Sequence, residues 1–163
     1  MGRASGVLLA VSSLPNSYGI GTFGKEAYDF IDFLVRTKQR YWQVLPLTTT
    51  SYGDSPYQSF SAAAGSPYYI DLKDLEKLGY LKSDDFEDIS FGTSNTCVDY
   101  GALFVNHRRL LNRAFDRFMQ DIPADFEKFC HDHAEWLDPY AEFMSLKEEF
   151  GHKAYWEWPE LYQ

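Results

Sequence analysis

The sequence predicts an α/β fold: two parallel strands at the start of the chain, then a mostly helical remainder. Three observations carry this. Two continuous apolar runs, Gly6–Val11 and Arg40–Leu47, read as strands buried on both faces. Between them Ala27, Phe30, Ile31 and Leu34 fall at i, i+3, i+4 and i+7, one face of an amphipathic helix over Lys25–Lys38. After Asp71 the periodic stretches are helical, and no further strand run follows. Two strands do not make a stable parallel sheet, which needs more strands and cover on both faces. The chain is therefore either a mostly helical domain with a small α/β start or a truncated piece of something larger, and truncation is the expectation.

Each element has its own signal. Strand, helix, strand in this order is a βαβ unit with a right-handed crossover. The loops leaving the two strands, Ser12–Gly24 and Tyr52–Asp71, should then be neighbours on the C-terminal edge, where α/β proteins bind ligands. Lys73–Leu78 reads as a short helix capped by Asp71 and stopped by Gly79. Ser83, followed by Asp84 and Asp85, reads as another helix cap with acids in the first turn. Tyr100–Met119 is a long amphipathic helix through Leu103, Leu110, Leu111, Ala114, Phe115 and Phe118. Pro123 is placed to open another, with Phe126, Phe129 and Cys130 inward. Asp138-Pro139, a cap and a first turn, predicts a separate last helix through Phe143, Met144 and Leu146 that Gly151 ends.

Composition narrows the function classes. The chain has 163 residues, is 45% hydrophobic and 18% aromatic, and can bury a core. A net charge of −9 lacks the basic footprint of a nucleic-acid or anionic-membrane partner. The apolar run at the N-terminus is too short for a signal peptide, and no stretch approaches a membrane-spanning length. Cys97 and Cys130 read as buried thiols in a reducing compartment. These features predict a cytoplasmic protein.

The stretch Tyr52–Asp71 holds the densest chemistry. Gly53, Pro56, Gly65 and Pro67 punctuate it as a shaped loop. Tyr52, Tyr57, Tyr68 and Tyr69 offer ring faces for the apolar side of a pyranose, and Ser55, Gln58 and Asp54 offer partners for its hydroxyls. An aromatic loop closing over its own core explains the same composition.

Other constellations carry less. Gly19-Ile20-Gly21-Thr22-Phe23-Gly24 matches G-x-G-x-x-G, but the glycines begin well after the first strand ends. The second strand ends in Val44-Leu45-Pro46-Leu47, without a carboxylate for a ribose. The glycines more simply let the loop approach a ligand or a barrel rim. His131 and His133 point to different helix faces and complete no metal site. His107 and His152 read as surface or cap residues. Asp54 and Asp71 each have a local task, turn and cap, and are not assigned as a catalytic pair. Tyr155, Trp156 and Trp158 suit either a platform or helix packing.

Several motifs together resemble one enzyme family. They are Gly6-Val7-Leu8-Leu9, Ser13-Leu14-Pro15, Tyr18-Gly19-Ile20-Gly21, Tyr41-Trp42-Gln43-Val44-Leu45-Pro46-Leu47 and Tyr52-Gly53-Asp54-Ser55-Pro56-Tyr57-Gln58-Ser59-Phe60-Ser61-Ala62. The set is similar to the N-terminal part of the 4-α-glucanotransferases, the amylomaltase or disproportionating-enzyme family. It is dense from Gly6 to Tyr80, thins across Lys82–Asp138 and returns at Gly151-His152-Lys153 and Trp156-Glu157-Trp158-Pro159.

The resemblance implies the first part of a (β/α)8 TIM barrel, residues 1–81, followed by an incomplete helical insertion, residues 82–163. It implies transfer of α-1,4-glucan segments between maltooligosaccharides with retention, through a covalent glycosyl-aspartate and without a cofactor. The catalytic carboxylates of that family lie on later barrel strands, so none is assigned in this chain, whose partner would be the remainder of the barrel. By the same resemblance Tyr57 lines the subsite at the scissile bond and Ser55 is a polar contact on the acceptor side. Gln58 and Asp54 hold the shape of the loop. Tyr52 corresponds to an aromatic of a secondary glucan groove whose second ring falls near Phe104. A free-standing α-glucan-binding module and a hydrolase of the same barrel class are the competing function classes.

Overall fold

The computed structural model describes residues 2–51, 53–94 and 96–163, and it divides into two compact units, Met1–Ile122 and Pro123–Gln163. The first unit opens with strand β1 (Gly6–Leu8), helix α1 (Lys25–Arg36) and strand β2 (Tyr41–Gln43). The strands pair in parallel with Gly6 opposite Tyr41, Val7 opposite Trp42 and Leu8 opposite Gln43. Leu9 N donates to Gln43 O at 3.0 Å and Arg40 N to Ser5 O at 2.9 Å, extending the ladder at both ends.

Both strands are shorter than their apolar runs. After Leu8 the chain turns into a 3-10 segment, Val11–Ser13, and Val11 goes into the core from that turn. Nor are the strands buried on both faces: Leu8 is 59% exposed and Tyr41 64%. The physical reason is the small sheet, since no third strand flanks the pair among the described residues. The inner side is apolar. Val11, Leu14 and Ala27 form a cluster with Leu9, Phe30, Trp42, Val44, Leu47 and Tyr69, and Trp42 Nε1 donates to Leu9 O at 2.8 Å.

Helix α2 (Leu72–Lys77) starts at Asp71, whose side chain accepts from Asp74 N at 3.1 Å, and ends before Gly79 at φ 83°. Residues Ser83–Phe86 make a 3-10 turn. Ser83 is not its cap: Asp85 reaches back to accept from Lys82 N at 2.8 Å, while the Ser83 hydroxyl donates to Glu76. Helix α3 (Tyr100–Phe118) is capped by Asp99 and buries Leu103, His107, Leu110 and Ala114. Of these, Leu110 and Ala114 join Leu72 and Leu81 in a second cluster with Tyr18, Tyr80, Phe86 and Phe91 around it. Phe115, expected inward, is exposed. Gly19, at φ 83°, lets the first loop lie against Phe91, so this glycine serves protein packing rather than a ligand.

In the second unit a single helix α4 runs from Phe126 to Glu149. It begins three residues after Pro123 and passes through Pro139 without a break, so Asp138 and Pro139 do not start a new helix. A proline inside a helix leaves the carbonyl four residues earlier unbonded. Pro139 and Glu135 are both exposed, where water can take that role. Phe126 and Phe129, expected inward, are also exposed. After Gly151 the chain folds back and buries Trp158 against Phe143 and Phe150, at ring separations of 5.5 and 5.4 Å. Trp156 and Tyr155 remain exposed. Neither cysteine is buried: Cys97 is exposed and Cys130 half-buried, both as free thiols. No helix among the described residues is long and apolar enough to cross a membrane.

Candidate functional site

The chain beyond β2 leaves the C-terminal edge of the pair and returns to it. Thr48 bridges Gly65 in antiparallel fashion, with Ser66 N donating to Leu47 O at 2.9 Å and Thr49 N to Ala64 O at 3.3 Å. These bonds close the neck of a compact surface loop of the kind that often carries function.

Inside the loop, backbone and serines supply the order. Ser51 N donates to Gln58 O at 2.9 Å, Asp54 N to Ser51 O at 3.1 Å and Gln58 N to Ser55 O at 3.1 Å. The Ser55 hydroxyl accepts from Tyr57 N at 3.3 Å, and the Ser61 hydroxyl accepts from Ala63 N and Ala64 N at 3.1 Å. Thr49 and Ser59 join their hydroxyls across the neck at 3.2 Å. The sharp turn needs two left-handed residues, Gly53 at φ 97° and Asp54 at φ 58°. Asp tolerates this region better than most residues because its short side chain bonds locally.

The site residues named from the sequence separate by role. Tyr57 stands at the tip with 72% of its surface exposed, so it does not close over the core. Ser55 is half-buried, and Gln58 is exposed while its backbone pins the turn from both sides. Asp54 is half-buried, and burial pushes its carboxyl above the ordinary range. Tyr52 lies outside the described residues. Phe104, the ring paired with it by resemblance, is exposed on α3.

The other tyrosines of the stretch pack. Tyr69 joins the first core cluster and meets Phe23 edge-on at 5.9 Å, with Phe23 N donating to Tyr69 O at 3.2 Å. The two loops are therefore neighbours, as the βαβ order predicts. Tyr68 lies edge-on to Tyr100 at 6.2 Å and to His107 at 5.7 Å. Burial raises the phenol pKa of Tyr68, and the nearby Asp54 charge raises it further. Tyr100 is raised by burial first, then by Tyr69 and Asp54. The charge of Asp54 thus reaches two half-buried phenols outside its own turn.

Sequence reasoning missed His107. It is 1% exposed, not a surface residue, and among the described residues neither ring nitrogen has a partner in good hydrogen-bond geometry. The signal was present: His107 lies four residues after Leu103 and three before Leu110, on the apolar stripe itself. The described residues hold no group of three or more His, Cys, Asp or Glu side chains able to bind a metal. Asp71, the other loop carboxylate, is committed to capping α2.

Comparison with known proteins places this geometry. The 4-alpha-glucanotransferase family model matches residues 9–163. A 4-alpha-glucanotransferase of Streptococcus pneumoniae serotype 4 is 54% identical over 160 residues, which is 97% of this chain and 32% of that protein. One of Thermus thermophilus is 46% identical over 161 residues, covering 96% of this chain and 31% of the relative. Among solved structures, the amylomaltase from Streptococcus agalactiae in complex with acarbose superposes with a TM-score of 0.92 at 50% identity, over 98% of this chain and 32% of that one. The chain spans about a third of the length of the curated relatives it matches. With a family model matched over nearly all of its residues, the chain belongs to the 4-alpha-glucanotransferase family.

Proposed function

We propose that this chain is the N-terminal part of a 4-α-glucanotransferase that moves α-1,4-glucan segments between maltooligosaccharides by a retaining, covalent mechanism. In this reading residues 1–81 begin a (β/α)8 barrel and residues 82–163 begin a helical insertion. The nucleophile and the acid/base residue come from later barrel strands. The observation that carries the reading is Tyr57: in a chain of this family, an exposed ring stands on a hydrogen-bonded loop at the C-terminal edge of parallel strands. Exposed apolar side chains on the strands and α1, among them Leu8, Tyr41, Tyr28 and Val35, support a barrel that further chain completes.

The loop's part is to bind and orient. The Tyr57 ring packs the apolar face of a glucose unit beside the scissile bond, and Ser55 offers a hydroxyl on the acceptor side. Gln58 and Asp54 hold the turn that presents both, and Tyr52 contributes to a secondary groove for longer glucans. Water exclusion decides transfer over hydrolysis, and an aromatic wall at the acceptor side serves it. A cytoplasmic setting suits the exposed free thiol of Cys97. A free-standing glucan-binding module is not favoured, because the family match extends far beyond the loop.

The test is disproportionation of maltotriose by the full-length enzyme. Glucose together with a ladder of longer maltooligosaccharides is the expected product. Hydrolysis to glucose and maltose without longer products would overturn the transferase reading.

A further inference from the structure

Two side chains from different loops meet where those loops touch. Thr22 Oγ1 donates to Asp71 Oδ2 at 2.5 Å, and the residues are 1% and 8% exposed although 49 positions apart. Thr22 Oγ1 accepts in turn from Asn16 Nδ2 at 3.1 Å and from Gly24 N at 3.4 Å. The second oxygen of Asp71 holds the first turn of α2 through Asp74 N. Gly24 makes room for this, since a Cβ there would overlap the Asp71 carboxylate. A buried carboxylate is tolerated only when its oxygens are matched, and a hydroxyl-to-carboxylate bond is among the stronger hydrogen bonds. Asp71 is thereby fixed to the β1 loop from one side and to α2 from the other.

The consequence reaches the candidate site along the backbone. From Asp71 the chain runs back through the 3-10 turn Pro67–Tyr69, closed by Tyr69 N to Ser66 O at 3.1 Å, to the neck where Ser66 N meets Leu47 O. The outgoing leg of the Tyr57 loop continues from β2. The returning leg is held, beyond its neck, by the Thr22–Asp71 clasp.

We propose that Thr22 and Asp71 are positioning residues for the Tyr57 loop: their buried bond sets where the returning leg leaves the C-terminal edge, and with it where the Tyr57 ring meets the sugar. Neither side chain contacts glucan. The proposal rests on the reading of Tyr57 as a glucan contact.

The experiment compares steady-state disproportionation of maltotriose by full-length enzyme carrying Thr22→Val, Thr22→Ser, Asp71→Ser or Tyr57→Ala, well below each melting midpoint. Thr22→Val keeps the volume and removes the hydroxyl, whereas Thr22→Ser keeps the hydroxyl. Asp71→Ser retains a helix cap but is too short to reach Thr22. Thr22→Val and Asp71→Ser should each raise KM by about fivefold to tenfold with a smaller change in kcat, because displacement rather than lost chemistry is the fault. Thr22→Ser should stay within about twofold of wild type. The clasp assignment is overturned if Tyr57→Ala impairs transfer while Thr22→Val or Asp71→Ser keeps a wild-type KM. It is also overturned if Thr22→Ser is as damaged as Thr22→Val. Should Thr22→Val yield no soluble enzyme, Asp71→Ser decides: a raised KM upholds the clasp and a wild-type KM overturns it. Wild-type kinetics in Tyr57→Ala would remove the glucan contact itself, and the positioning role with it.

Discussion

His107 on α3 stands edge-on to Tyr68, ring centroids 5.7 Å apart, with both of its nitrogens buried and neither in good hydrogen-bond geometry with another described residue. Burial holds its pKa down to about 4 from an ordinary 6.5, with a polar backbone group of Ile70 only partly opposing. The unfolded chain takes up a proton near pH 6.5 and the folded chain does not until about pH 4. The stability tied to neutral His107 is therefore complete above pH 6.5 and is lost as pH falls toward 4, on the order of 3 kcal/mol in all. His107→Leu should flatten that slope and cost little at pH 7, because a buried, poorly partnered imidazole is replaced by an apolar side chain. Denaturant midpoints of wild type and variant at pH 7 and pH 5 check it. A variant with the full wild-type loss between those values would remove His107 as the cause.

Asp85 gives a second acid step, lower on the pH scale. Arg117 grips it with both terminal nitrogens, at 2.5 and 3.0 Å, and also donates to Tyr80 O at 2.9 Å. The Arg117 bond holds the Asp85 carboxyl down to about 2 from 3.8. Its contribution is present above pH 3.8 and disappears as pH falls toward 2. Asp85→Asn should lower stability at pH 7 by about 2 kcal/mol, the scale of hydrogen bonds to a charged group, and should remove the step below pH 4. Acid titrations followed by circular dichroism would show whether the step survives.

The two histidine and aspartate findings also mark how far local pattern reaches. Helices α1 and α3 were legible from their apolar spacing, and α2 from the Asp71 cap and the Gly79 stop. Asp71 caps α2 as expected, whereas the Asp99 cap of α3 emerges only from the structure. The strand ends were not legible, because Leu9, Ala10 and Val11 are apolar whether they extend the ladder or turn into the core. In the candidate site, the loop and its neighbours followed from chain order. Which tyrosine faces solvent did not: Tyr57, Tyr68 and Tyr69 share one composition, and only packing sends the last two inward. A bond such as Thr22 to Asp71 joins positions that no periodicity relates.

Pro139 tests the clearest departure from pattern. Following Asp138 it mimics a helix start, yet α4 passes through it from Phe126 to Glu149. An interior proline forfeits one backbone bond and crowds the preceding turn, at a cost near 3 kcal/mol, part of which its stiffening of the unfolded chain offsets. Pro139→Ala should therefore stabilise the protein by about 1–2 kcal/mol and leave maltotriose turnover unchanged. Urea midpoints of the two proteins decide it. A loss of stability would mean that residues 126–138 and 139–149 form separate helices, with proline as the first residue of the second.

Tyr57 is where stability and function should come apart. With 72% of its surface exposed, it contributes little to the core, so Tyr57→Ala should shift the melting midpoint by no more than about 1 °C. Stacking of a ring on a sugar is worth on the order of 1–3 kcal/mol by analogy with other aromatic contacts, so kcat/KM for maltotriose should fall about 5-fold to 150-fold in the full-length enzyme. Tyr57→Phe keeps the ring face and should retain most of the activity, which separates stacking from hydrogen bonding by the phenol. Calorimetry and initial rates on the same three proteins provide the comparison. If Tyr57→Ala lost stability and turnover in proportion, the ring would be a packing residue of the loop. An unaltered kcat/KM in the alanine variant would remove it from the glucan subsite altogether.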